Sequence, residues 1–279
     1  MAAITWLGTD STSPTDFDTT SNWSSGAVPG AGDTVVFTST YNNDCTTNVN
    51  QGTTAFSSVV VEAGYTATIG SFTSPLIADP SKFEYHGGGI IWIKLGSTGI
   101  PVVVSNSGAS ANGSYGVNLE GTVSTLTVSN GRVGYCTHTG QTGSVTNVRV
   151  SGGVSVLGSN LTSVTNVDIS GGEVETRETP ATVKVYNGKF KTAEDAGVST
   201  KLTLYGGSAV LAGTGTVADL LLDAPAGSTV DMTTSGIART ITAFKNNGGS
   251  LLYDPNVITI TTETDADKAI RKTVANLNG

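Results

Sequence analysis

The sequence predicts an all-β fold, a single-stranded parallel β-helix or β-solenoid of about eight to ten coils. Three observations predict it. From Val123 to Leu252 one phrase recurs: a short run alternating apolar and polar residues, a Gly-Gly or Asn-Gly pair, another alternating run, then a small polar turn. Its copies are LTVSNGRV, VRVSGGVSV, VDISGGEVE, VKVYNGKFK, LTLYGGSAV and, more loosely, FKNNGGSLL. The second residues of the first five pairs, Gly131, Gly153, Gly172, Gly188 and Gly207, are spaced by 22, 19, 16 and 19 residues, and Gly249 marks the sixth copy. Alternation with period two is strand patterning, and a repeat near twenty residues makes each coil bury its apolar face against its neighbours. Composition agrees, with 36 Gly in 279 residues and 13% charged residues against about 25% in an average protein.

The elements follow in order. Residues 1–55 are expected to form an N-terminal cap or attachment segment, 56–262 the solenoid and 263–279 a C-terminal helix. The first coil of a solenoid has no neighbour above it, so an amphipathic segment must cover its apolar cross-section and block edge pairing. Trp6, Trp23 and Phe37 supply apolar bulk for this, and Pro29, Gly30 and Asp33 turn the chain into the strand 34–37. Stacking of the two tryptophans on carbohydrate is the alternative use of the same rings. Residues 56–121 contain less regular coils, with Gly87-Gly88-Gly89 standing where the later pairs stand. IIWIKL (90–95) is the most apolar strand, as expected of one buried on both faces or pairing with another subunit. After VITITT (257–262), the run TDADKAIRKTVANL has helical wording, with Thr264 as N-cap. Ile270, Val274 and Leu277 form its apolar stripe, suited to capping the last coil or docking a partner.

Aligning the copies on their glycine pairs stacks Arg149, Asp168, Lys184 and Thr203 above one another, and sets Glu173 over Lys189 and Glu175 over Lys191. An enzyme face on such a stack needs clustered carboxylates, either to hold a hard cation or to shift a catalytic group. Alternating charge instead removes the repulsion between stacked like charges. The ladder therefore predicts structure, with no catalytic residue, cofactor site or metal site. The coil containing Val154 and Val156 breaks the scheme, by an offset register or an outward apolar patch. His86 and His138 are the only histidines and lie in different coils; neither has a second His or Cys at metal-ligand spacing. Cys45 and Cys136 lack any framework and predict two buried thiols, with a disulfide between them as the alternative.

The pattern W6…N22-W23-S-x-G-x-x-P29-x-x-G-D33-x-V-x-F37 resembles the start of many bacterial and phage β-solenoid proteins, including autotransporter-type passengers. It covers about 35 residues and implies architecture without an activity. A net charge of −8 with no Lys/Arg run excludes a nucleic-acid partner, and no apolar run is long enough for a membrane helix. The first residues carry neither a basic n-region nor an apolar h-region, which predicts synthesis in a cytoplasm without a secretory leader. This low-charge, Gly/Thr/Ser-rich chain resembles accessory virion proteins of tailed bacteriophages. That resemblance implies a non-enzymatic head-decoration, fibre or spike component. Its expected partners are the major capsid or tail proteins, further copies of itself in a trimer, and a host-surface glycan. The alternatives are a polysaccharide-lyase-like β-helix enzyme and an autotransporter-type adhesin at the cell surface.

Overall fold

The structure, a computed structural model, describes residues 2–96, 99–106, 114–224, 227–234, 236–265 and 272–273. It is nearly all parallel β-sheet, a β-solenoid of about 11 turns with almost no helix. The chain groups into two compact units, Met1–Val145 and Thr146–Gly279.

In Thr146–Gly279 each coil gives one strand to each of two parallel sheets. The first sheet runs through Leu161–Ile169, Thr182–Val185, Lys201–Leu204, Gly215–Leu222, Arg239–Asn246 and Ile258–Asp265. The second runs through Val154–Leu157, Glu173–Thr176, Lys189–Thr192, Ser208–Leu211, Thr229–Asp231, Ser250–Tyr253 and Lys272–Thr273. The glycine pairs form the corner from first sheet to second. At Gly188 the backbone has φ +93°, and a Cβ there would sit 2.5 Å from the Gly172 carbonyl oxygen of the coil beneath. Glycine is required at this corner by dihedral and by space together. Alternation then sends every second residue inward. Val167, Val183, Leu202, Leu220 and Phe244 stack at one inward position of the first sheet, all at most 2% exposed. Val174, Phe190, Ala209, Val230 and Leu251 do so in the second. Burial of each large side chain contributes about 1.5–3 kcal/mol, which makes these columns the main support of the fold.

Met1–Val145 has the same two-sheet plan. Ala3–Thr5, Thr34–Phe37, Ser58–Val61, Phe83–Tyr85 and Ile100–Ser105 form successive parallel rungs of its first sheet. Val117–Asn130 serves both sheets: Val117–Glu120 pairs with Ile91–Lys94, and Val123–Asn130 with Ile100–Ser105. Its bend lies at Gly121, φ +106°. The residues before 56 thus already supply rungs, which accounts for more turns than the glycine repeat alone suggests. The strand Ile90–Leu95 is not buried on both faces. Ile91, Ile93 and Leu95 point inward, whereas Ile90, Trp92 and Lys94 point outward, Ile90 being 36% exposed.

The expected C-terminal helix is corrected where the chain is described. Thr264, its predicted N-cap, belongs to the strand Ile258–Asp265, and Lys272–Thr273 pairs in parallel with Leu252–Tyr253. The last coil offers unpaired backbone groups along its edge, and pairing to that template outweighs a weak helical propensity. Ile270, Val274 and Leu277 lie outside the described residues.

Candidate functional site

The first region of interest is the N-terminal segment. Trp6 and Phe37 are fully buried and Trp23 is 1% exposed. Phe17, a ring the motif did not include, meets Trp23 edge-on at 4.6 Å; Trp6 meets Trp23 at 5.0 Å, and Phe37 contacts both tryptophans and Tyr65. Trp6 Nε1 donates to Asn43 O and Trp23 Nε1 to Phe17 O. Rings this deeply enclosed present no face to a sugar. The open edge of the first rung is closed by an antiparallel return. Trp6 bridges Trp23, Leu7 N donates to Asn22 O and Ser24 N to Thr5 O. Asn22 is the organiser that sequence reasoning missed. Fully buried, its Nδ2 donates to Ser13 O (2.7 Å) and Asp16 O (3.0 Å), while its Oδ1 accepts from Asp10 N (2.8 Å). Its position directly before Trp23 in the motif was the available signal. The Ser21 hydroxyl and the Ser13 and Thr12 amides hold the Asp10 carboxyl below its ordinary range. Pro29 is buried, and Asp33 Oδ2 accepts from Gly30 N at 3.0 Å, fixing the turn into Thr34–Phe37.

The second region is the charge ladder of Thr146–Gly279. Asp168 stands opposite Lys184 and Lys184 opposite Thr203, while Glu173 stands opposite Lys189 and Glu175 opposite Lys191. Ser170 N donates to Val150 O, which sets exposed Arg149 beside Asp168 on the neighbouring rung. The ion pair that closes is diagonal, Lys191 Nζ to Glu173 Oε1 at 2.6 Å. In the coil that breaks the scheme, Val154 stands opposite Glu173 and Val156 opposite Glu175, so its register is not offset. Val156 nevertheless is only 7% exposed, and the residue pointing inward between the two valines is Ser155.

The third region was not foreseen. On the outward face of the second sheet of Met1–Val145, Trp92 meets His138 at 5.0 Å and Phe72 at 5.6 Å, and Phe72 meets His138 at 5.2 Å. Phe72 is 47% exposed. Asn118 stands opposite Trp92 in the sheet, and Glu120 opposite Lys94. Lys94 Nζ reaches Glu120 Oε1 at 2.7 Å, and the Glu120 side chain is only 10% exposed. His138 N donates to Gln141 Oε1, and its Nδ1 lies 3.0 Å from Thr137 Oγ1. Beside Asn118, Gly134 leaves room for the Tyr115 ring, over which Arg132 sits at 5.4 Å. Residues 72, 92 and 138 are too far apart in sequence for spacing to reveal the cluster. The exposed, apolar wording of IIWIKL was the one available signal.

Other features serve the scaffold. Tyr186 and Tyr205 stack nearly parallel at 4.9 Å on successive corners, each covering a face of the other. Arg239, 3% exposed, donates Nε, Nη1 and Nη2 to the carbonyls of Gly213, Met232 and Ala212. Burial lowers its pKa, with Asp231 opposing. Cys45 and Cys136 are free thiols, both buried. Burial raises both, with Asp16 and its neighbours adding to Cys45, and Cys136 pushed up to about 12 with Glu120 adding to the effect. Among the described residues no three His, Cys, Asp or Glu side chains gather as metal ligands, and no helix is long and apolar enough to cross a membrane.

The geometry defines a class, the parallel β-solenoid with one antiparallel closure at its first rung. No protein-family model, curated protein or solved structure matches the chain.

Proposed function

We propose that this chain is a non-enzymatic structural protein whose solenoid serves as a rigid display scaffold, and that its setting is the virion of a tailed bacteriophage, as a decoration, fibre or spike component. The observation that carries the scaffold reading is the register of the charge ladder. Glu173 faces Lys189 and Glu175 faces Lys191, so each carboxylate has a cationic neighbour across the rung. A polysaccharide-cleaving β-helix needs carboxylates gathered to hold a cation or to raise a proton donor. Opposed charges instead keep the outer face hydrated and free of repulsion. The virion setting rests on the resemblance of the residues from Trp6 to Phe37 and on the low-charge, Gly-rich composition. Partners within the particle are the capsid or tail proteins and further copies of this chain. Mass spectrometry of purified particles from the phage that encodes it tests the setting. The chain is expected at a fixed stoichiometry to the major capsid protein, and its absence from particles refutes the proposal. Release of unsaturated products from polygalacturonate or alginate in the presence of calcium replaces the scaffold reading with the lyase one.

A further inference from the structure

We infer that the outward face of the second sheet in Met1–Val145 carries a binding site for an uncharged saccharide, centred on Trp92. Two excursions build it, and a plain solenoid needs neither. The rung beneath Ile90–Leu95 is split: Ile69 pairs with Ile91 and Leu76 with Ile93, so residues 70–75 loop out opposite Trp92. That loop has one aromatic residue, Phe72, and returns it to 5.6 Å from Trp92. On the other side the turn following Cys136 brings His138 to 5.0 Å from the same ring. Three rings from three coils thus converge on one point, with the Phe72 ring left largely in solvent.

The groups around the rings define the ligand class. Successive outward residues are about 6.7 Å apart along a strand, and paired strands lie about 4.8 Å apart. Trp92 and Lys94 on one strand, with Glu120 opposite Lys94 on the next, therefore span a patch the size of one sugar ring. A pyranose has a flat C–H face, which suits aromatic rings, and a rim of hydroxyls, each needing a donor and an acceptor. The ammonium of Lys94, on a side chain 45% exposed, supplies a donor and the carboxylate of Glu120 an acceptor, while the buried Asn118 amide donates to Ile91 O and Tyr115 O and floors the patch. Lys94 and Glu120 neutralise one another at 2.7 Å, so the patch carries no net charge for an ionic ligand. A peptide strand would add at a sheet edge, and on this face the backbone groups are already used within the stack.

Trp92 is the only tryptophan of three that is not buried, so its fluorescence reports this site directly. Acrylamide quenching is measured with millimolar maltotetraose, cellotetraose, tri-N-acetylchitotriose and tri-galacturonate. At least one neutral oligosaccharide is expected to shield Trp92, with affinity reduced about tenfold in Phe72→Ala and in Glu120→Gln. Phe72 is exposed, so its replacement leaves the fold intact, and unchanged circular dichroism verifies this. Shielding by no saccharide overturns the inference, as does shielding equal in both variants and the parent. Shielding by tri-galacturonate alone overturns the assignment to an uncharged sugar. None of these outcomes depends on whether the chain is found in virions.

Discussion

The two units share one plan and differ in regularity. In Thr146–Gly279 the rungs follow one another in register, with outward charges opposed at Glu173–Lys189 and Glu175–Lys191 and like stacked on like at Tyr186 and Tyr205. In Met1–Val145 the rungs are interrupted by an antiparallel return at Trp23, a split strand at residues 70–75, and a strand that bends from one sheet into the other at Gly121. The regular unit satisfies its outer face from within, whereas the irregular one gathers side chains from distant positions. Departure from the repeat is thus where a solenoid acquires specific chemistry, because a strict repeat can only place like beside like.

Substitutions separate these two modes. The largest effect is expected in the irregular unit. Trp23→Ala removes a buried ring that contacts Trp6, Phe17 and Phe37, and should cost about 3–5 kcal/mol in urea unfolding. Asn22→Ala follows, at about 1–3 kcal/mol, because it leaves the Asp10 amide and two carbonyls without their partner. In the regular unit Gly188→Ala should cost about 1–3 kcal/mol, from a positive φ and the close carbonyl of Gly172. If its cost matched that of an exposed loop substitution, the corner would be more adaptable than the stacked geometry indicates. The smallest effect belongs to the ladder. Lys191→Ala should change stability by at most about 1 kcal/mol, and less in high salt, since both partners of its ion pair are partly exposed.

Alkaline pH provides a further comparison with a definite sign. The Cys136 thiol titrates near 12 in the folded chain, against about 8.5 when unfolded. Between these values the folded chain keeps a proton that the unfolded chain has lost, so stability is full below about pH 8 and falls as pH rises towards 12. The buried hydroxyls of Tyr65, Tyr85 and Tyr135 are raised too, and all lie in Met1–Val145, as do both cysteines. Alkaline unfolding followed by hydrogen exchange should therefore begin there. At pH 8 both thiols should stay unreactive to a thiol reagent until denaturant is added, and rapid labelling of the native chain would contradict their burial.

Sequence alone determined the parallel solenoid, its glycine corners and the register of its ladder. Period-two alternation and the Gly-Gly spacing are local properties, and a repeated phrase stacked on its glycine pairs sets the inward columns over one another. That is why Glu173 over Lys189 was legible before any coordinate. Tertiary structure alone decided the features made by unlike segments meeting: Asn22 beneath the first loop, the diagonal pairing of Lys191 with Glu173, and the convergence of Phe72, Trp92 and His138. It also decided that the segment from Thr264 continues as strand, because the edge of the last coil offers hydrogen bonds that helical propensity in the isolated segment does not register. A repeat encodes contacts between equivalent positions, and only the folded chain brings inequivalent ones together.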